Sequence, residues 1–387
     1  MTHAEYRCLA FVCLSLLTTL PAQADEGDVF TPYVGYGMFH DDNLLRAPNG
    51  GNRVSDSWRR TTFGVRVDKS ISRQQLTADL SINDTRYDRF DQYDHDGRKL
   101  GANWKWALGN HFSGNVGSRL IEDLTPFEDT FTRSVRTQRR TYIDGGWRFH
   151  PSWRVRAAYS RDGLDYEEIP SAKLQLNTSE VGIDYLARSH NRAGLLLRHS
   201  VGEYPNSNIG TASNYTQDEI KANILWQLTG KTGLEFLGGW AQRRYNDASA
   251  RDFTGPDARL TVNWEATGKT SFKLATWREL GSSSDLSANY SRNTGASVAA
   301  TWQATAKIGV DASASVEDRD YNGIAFLPDI PPSERSDRYR KDTIGITYFP
   351  LRQWRVNASV YRQQLDSNLT DKKYSTNGIQ LTTRYEF

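Results

Sequence analysis

The sequence predicts an all-β protein, a transmembrane antiparallel outer-membrane β-barrel of about 18 strands with short periplasmic turns and longer extracellular loops. Three observations carry that reading. The first is the closing stretch, residues 374–387, where Ile379, Leu381, Thr383, Tyr385 and Phe387 alternate with Gly378, Gln380, Thr382, Arg384 and Glu386. A period of two turns one set toward lipid and the other toward water. The second is composition. Only 37% of the 387 residues are apolar and the mean hydropathy is −0.67, yet 12% are aromatic, with 11 Trp and 19 Tyr. That is too polar for a large buried core, and it suits a water-filled barrel with a polar inner face, an outer apolar band and aromatic girdles. The third is a regular alternation of short turns with long polar loops.

The two-residue period recurs along the chain. Phe63, Val65 and Val67 alternate with Gly64, Arg66 and Asp68, and Leu76, Ala78, Leu80 and Ile82 alternate with Thr77, Asp79, Ser81 and Asn83. Similar runs occupy 100–108, 143–149, 181–187, 193–197, 220–228, 260–266, 296–304 and 308–316. None has a helical period, and past Ala24 no apolar run is long enough for a transmembrane helix.

Tight turns are expected at 70–73, 110–111, 151–152, 189–191, 230–231, 267–269, 305–306 and 350–353. Longer polar loops are expected at 41–56, 88–97, 125–136, 167–173, 205–214, 246–253, 281–285, 322–336 and 367–373. Eight turns and nine loops imply an even number of strands with both chain ends in the periplasm. A repeat of roughly 40 residues also suits a propeller, but here each repeat holds two long strands and the outward faces at Trp104, Trp106 and Trp147 are apolar. Phe112, Trp147, Phe149, Trp153, Trp226, Trp264, Phe272, Trp302, Tyr348 and Trp354 lie next to the short turns, where they are expected to form the periplasmic girdle.

At the front, the apolar run 9–20 leads to Ala22-Gln23-Ala24 and then Asp25-Glu26, which reads as a secretory leader over 1–24 cleaved after Ala24, with the barrel over 25–387. Its apolar part is too short to cross a bilayer, which takes about 20 residues. Both cysteines, Cys8 and Cys13, fall inside it, so the mature chain is expected to lack disulfides and thiolate metal sites. The formal charge of +2 argues against a nucleic-acid partner.

On the polar strand faces lie Arg66, Asp79, Lys105, Arg119, Arg148, Arg154, Arg156, Asp184, Arg198, Lys221, Glu235, Arg259, Lys273, Asp311, Arg355 and Arg384, the expected pore-lining residues. They pair across neighbouring strands and stiffen a hydrated wall, form a mildly basic conduit through which an anionic or neutral hydrophilic polymer slides, or do both. The loop aromatics Phe90, Tyr93, Phe127, Phe131, Tyr166, Tyr204, Tyr321 and Phe326 are expected in loop packing or an outer belt ahead of sugar stacking. Asp94-His95-Asp96-Gly97 is like the middle of a calcium loop but lacks the spaced ligands and the closing Glu, so neither metal nor cofactor is expected. His40, Asp41 and Asp42 are the one group that could activate water in a barrel hydrolase. With no nucleophile motif and few histidines, the chain is read as a non-enzyme.

Phe30-Thr31-Pro32-Tyr33-Val34-Gly35-Tyr36-Gly37 followed by His40 and then Asp41, Asp42, Asn43, Leu44, Leu45 and Arg46 resembles the start of the EpsL-type outer-membrane proteins of exopolysaccharide gene clusters, within the beta-barrel porin 2 group. Leu45 stands where that family often has Phe. The resemblance implies a barrel that takes part in exopolysaccharide export, with the polymer and periplasmic export components as partners. The closing strand, ending in Tyr385 and Phe387, is similar to the signal that outer-membrane barrels present to the barrel-assembly machinery; lipid and lipopolysaccharide would surround the wall. The alternative from a different class is a general or oligosaccharide-specific diffusion porin, which fold alone does not distinguish from an exporter.

Overall fold

Two-faced strands in lipid can satisfy every backbone N–H and C=O only if each strand is paired on both edges, which a closed sheet achieves. The computed structural model describes residues 29–128, 133–189, 191–207, 214–246, 249, 252–282, 288–324 and 335–387, and these form one closed antiparallel sheet of 18 strands. The expected leader, 1–24, lies outside the described residues.

In chain order the strands are β1 (Phe30–Asp41), β2 (Asp56–Ile71), β3 (Gln74–Tyr87), β4 (His95–Leu108), β5 (Phe112–Leu124), β6 (Val135–His150), β7 (Trp153–Tyr166), β8 (Leu174–Leu186) and β9 (Arg192–Glu203). The second half holds β10 (Tyr215–Thr229), β11 (Thr232–Tyr245), β12 (Phe253–Thr267), β13 (Thr270–Ser282), β14 (Ala288–Gln303), β15 (Ile308–Ile324), β16 (Arg335–Leu351), β17 (Trp354–Ser367) and β18 (Tyr374–Glu386). Each strand pairs with its sequence neighbours, and β1 closes on β18 from Tyr33↔Glu386 to Asp41↔Gly378. The expected tight turns fall on short connections between strands, and the expected loops at 41–56, 88–97, 167–173 and 367–373 fall on longer ones; those at 125–136, 205–214, 246–253, 281–285 and 322–336 lie in part outside the described residues. In the first short turn Ser72 takes the left-handed conformation, with φ of 56°; Gly109 does so in the second, with φ of 57°.

The strands run 12 to 17 residues, longer than the roughly 9–11 a tilted membrane strand needs. The excess sits at the long-loop end. On β17 the outward side chains Trp354, Val356, Ala358 and Val360 give way to Arg362, Gln364 and Asp366; on β3 Leu76, Ala78, Leu80 and Ile82 give way to Asp84 and Arg86. An apolar belt therefore encircles the short-turn part of the wall. Its rim carries stacked rings, with Phe112 over Trp147 at 6.1 Å and Trp264 over Phe272 at 5.3 Å. Trp104, Trp147, Trp302 and Trp354 are all exposed on this face.

Inside, a different device recurs. Tyr33 lies flat over its cross-strand partner Gly64, and Tyr361 over Gly378, so closely that a Cβ on either glycine would come within 2.3 and 2.2 Å of the ring. Tyr142 over Gly117, Tyr215 over Gly202 and Trp277 over Gly295 repeat it. A ring paired with a glycine covers backbone without projecting into the lumen.

Candidate functional site: the lumen and its mouth

All sixteen charged residues named from the sequence share the face opposite the apolar belt, but their surroundings differ. Arg198 bridges Glu180 and Glu219 at 2.6 and 3.0 Å, and Lys221 sits 2.6 Å from both Glu219 and Asp257. Lys221 is almost wholly buried within this row. Arg259 forks onto Glu279 at 2.6 and 2.9 Å, and Arg66 and Arg384 share Glu386 at 3.4 and 3.0 Å. Tyr33 donates to Asp79 at 3.0 Å, and Glu235 accepts from Asn263 at 2.9 Å. Asp184 is held by Arg154 and Arg156. Lys105, Arg119, Arg148, Lys273, Asp311 and Arg355 have no ion-pair partner among the described residues.

Three of the unpartnered cations lie together, while Arg148, Lys273 and Arg355 stand apart on β6, β13 and β17. Lys99 and Lys105 on β4 and Arg119 on β5 line one stretch of wall, and Arg119 stands directly opposite Arg140 of β6. Arg140 keeps Asp162 at 3.4 Å, whereas Lys99, Lys105 and Arg119 keep no acid. Like charges facing each other across a strand pair are unfavourable, so this stretch presents net positive potential to the lumen. Lys99, Arg140 and the acids Glu180, Glu219, Asp257 and Glu279 were not singled out from sequence. Their signal is the same alternation that marked their neighbours, as in Glu219 two residues before Lys221.

At the long-loop end the sequence motif has a structural task. Asp41, 1% exposed, accepts from the Asn43 backbone N–H at 2.8 Å, from Arg46 Nη1 at 2.9 Å, from the Tyr361 hydroxyl at 2.6 Å and from the Thr376 hydroxyl. Asp42 accepts from the Asn377 backbone and amide side chain, both at 2.8 Å, and from Thr376 at 3.0 Å. Asn43 donates to the carbonyls of Ala47 and Ser375 at 2.9 and 3.1 Å, and Arg46, with φ of 54°, folds back onto the Asn43 carbonyl at 2.7 Å. The motif thus clasps the end of β1 to β17 and β18, at the seam where the barrel closes. Burial alone would raise the Asp42 carboxyl, but the bonds from Asn377 and Thr376 outweigh it and hold its pKa below the ordinary value. Burial alone would lower the Arg46 pKa; the carboxylate of Asp41 raises it.

His40, Asp41 and Asp42 do not converge. His40 faces outward and shares a 2.9 Å hydrogen bond with Ser57, while Asp41 faces inward. His40 and Asp42 border one hollow of the outer face, where the Asp42 carboxylate is taken up by Thr376 and Asn377. At the other end of the seam, Tyr385 and Phe387 lie outward with rings 5.0 Å apart, and the Phe387 N–H donates to Pro32 at 2.9 Å.

Gly378→Ala tests how far the clasp depends on the flat Tyr361 ring. The new methyl displaces the ring and with it the hydroxyl bound to Asp41, and a loss of about 1–3 kcal/mol is expected, read as a lower melting temperature of the barrel in detergent.

The loops also close over the lumen. Leu44 of the first loop, Tyr93 of the second and Phe127 of the third form a buried cluster with Trp58, Tyr87, Phe90 and Leu124 around it. Phe39, Trp58 and Tyr87, in register on β1, β2 and β3, stack at 5.3 and 5.5 Å beneath it. Beyond Phe127, Glu128 accepts a hydrogen bond from Gln363 of β17, which also donates to the Tyr374 hydroxyl at 2.7 Å. Going round the wall from β5 to β17 means crossing β4, β3, β2, β1 and β18, so the start of the third loop, through Phe127 and Glu128, reaches as a strap to the far side of the seam. On the opposite side Tyr204 packs with Leu176, Tyr215, Tyr245 and Phe253, and Arg243 lies over the Tyr215 ring at 4.1 Å. The loop aromatics Phe90, Tyr93, Phe127 and Tyr204 thus serve packing; Phe131 and Phe326 lie outside the described residues. His95, of the calcium-like stretch, is buried with its ring nitrogens 2.7 Å from Asp123 and 2.9 Å from the Tyr93 carbonyl.

The sequence model of the family described as "Putative beta-barrel porin 2" matches residues 208–387. No curated protein matches the chain. Among solved structures, the outer membrane protein opdK from Pseudomonas aeruginosa is similar over 92% of this chain and 99% of its own, at 11% identity and a TM-score of 0.53. Pseudomonas aeruginosa OccK2 (OpdF) is similar over 92% and 98%, at 11% identity and 0.52. A BenF-like porin from Pseudomonas fluorescens Pf-5 is similar over 92% and 99%, at 9% identity and 0.52. The fold is that of outer-membrane porins.

Proposed function

We propose that the chain is a diffusion porin of the outer membrane that passes small hydrophilic solutes and favours anions. The observation that carries this reading is the wall of Lys99, Lys105 and Arg119, which make no ion pair among the described residues. A lumen of mixed charge with one unpaired basic side concentrates anions without trapping them, since selectivity in such pores follows the charge that lines them. The strap at the mouth suits small solutes. The OccK2 barrel has been crystallised in complex with glucuronate and OpdK with vanillate, so small carboxylates are the first solutes to test here.

The resemblance to exopolysaccharide exporters rests on the Asp41, Asp42, Asn43, Leu44 and Arg46 motif, and those side chains are occupied in holding the seam. Export is therefore the second reading, and the same experiment separates the two. In planar bilayers under a KCl gradient, the reversal potential is expected to show chloride passing more readily than potassium. Lys99→Glu with Arg119→Glu is expected to reduce or invert that preference while leaving a conducting channel. Cation selectivity in the unaltered barrel overturns the proposal, and so does block by a long polysaccharide with indifference to small sugars and carboxylates.

A further inference from the structure

Where β7, β8 and β9 leave their short turns, the inner wall gathers Arg154, Arg156 and Arg192 around one carboxylate, that of Asp184. Asp184 is fully buried. Arg154 takes its Oδ2 with Nη2 at 2.7 Å and Nε at 3.2 Å, while the Nε of Arg156 stands 3.5 Å from Oδ1. Arg192 reaches the other way, donating to Asn223 at 3.3 Å. Two further carboxylates of this part of the wall, Asp144 and Glu235, accept from Asn115 and Asn263.

That leaves an imbalance of charge and of hydrogen bonds. Three guanidiniums face one carboxylate, and arginine does not shed its proton to relieve the repulsion. Arg156 Nε and Asp184 Oδ1 meet only through their 3.5 Å ion pair, and the buried Nη2 of Arg156 and Nε of Arg192 have no hydrogen-bond acceptor among the described residues. Buried polar groups are almost always satisfied, so several unmet donors in one cluster call for an acceptor that the chain does not supply. The wall beneath is built to leave room. Arg156 lies over Gly182, where a Cβ would come 3.1 Å from its Nε, and Asp184 lies over Gly194, where a Cβ would come 2.2 Å from Oδ1.

We propose that this cluster is a binding site for a dianionic oxyanion, inorganic phosphate or a phosphate monoester, held by Arg156 and Arg192 with Arg154 anchored on Asp184. The planar guanidinium fork offers paired N–H groups to paired oxygens. The inference rests on the reading that solutes cross this lumen. The site lies near the short-turn end, away from the Lys99 and Arg119 wall, and acts as a retention point on the path.

The test uses the intact barrel in detergent and in bilayers, with inorganic phosphate as the probe and KCl of equal ionic strength as the reference. Phosphate is expected to raise the melting temperature and to reduce chloride current in a saturable way. Arg156→Gln with Arg192→Gln is expected to abolish both responses while keeping the anion-selective reversal potential. Arg161→Gln, on the outer face of β7, is expected to respond like the unaltered barrel. Absence of any phosphate effect beyond that of chloride overturns the site, as does an undiminished response in the double variant. A barrel that binds phosphate through these arginines yet prefers cations refutes the porin reading alone; one that prefers anions and ignores phosphate refutes the site alone.

Discussion

Asp41→Ala is expected to cost the barrel about 3–5 kcal/mol, the range for removing one partner from a buried, hydrogen-bonded ion pair. The carboxylate is 1% exposed and gathers four donors from three segments of chain. Its loss strands the Arg46 guanidinium, whose side chain is only 13% exposed, and leaves the Tyr361 hydroxyl short of an acceptor, while Thr376 keeps only Asp42. Melting in detergent and resistance of the folded band to SDS both report the loss. Asp41→Asn, which keeps the shape and some of the hydrogen bonds, should fall between, and Arg46→Met in the Asp41→Ala background should recover part of the deficit by removing the orphaned charge. If Asp41→Ala melts like the unaltered barrel, the clasp is ornamental and the account of the seam fails.

The second large effect concerns conductance. Phe127→Ala with Glu128→Ala removes both attachments of the strap, its ring in the Leu44 and Tyr93 cluster and its carboxylate at Gln363. Open-channel current is expected to rise roughly twofold or more, because pore radius at the narrowest point dominates passage. The strands themselves are not touched, so SDS resistance should be retained. Unchanged current through a folded variant would mean that the strap does not narrow the path.

The architecture was legible because the bilayer leaves so little choice. A strand that meets lipid on one side and water on the other has to alternate, and Phe63, Val65 and Val67 or Leu381, Thr383 and Tyr385 could be assigned a face from spacing alone. Turn positions followed from where the alternation stops at residues such as Pro151 and Gly230. The face of each lumenal charge was legible for the same reason, but its partner was not. Pairing depends on cross-strand register, and Arg198 meets both Glu180 and Glu219 only because β8 and β10 flank β9. The strap was invisible: Phe127 and Glu128 stand in an ordinary polar loop, and their contact with Gln363 spans a sequence separation of 235 residues. The motif at Asp41 stood out in the sequence only by resemblance, while its work at the seam depends on Thr376 and Asn377, which no local pattern links to it.

The seam raises a question of alignment that greasiness cannot answer. Sliding β18 along β1 by two residues would keep every oily side chain outside and every wet one inside, so the membrane itself would accept the mistake. Only fixed points can reject it. The side chains of Asp41 and Asp42 meeting Thr376 and Asn377 fit a single alignment, and the polypeptide thereby proofreads its own closure.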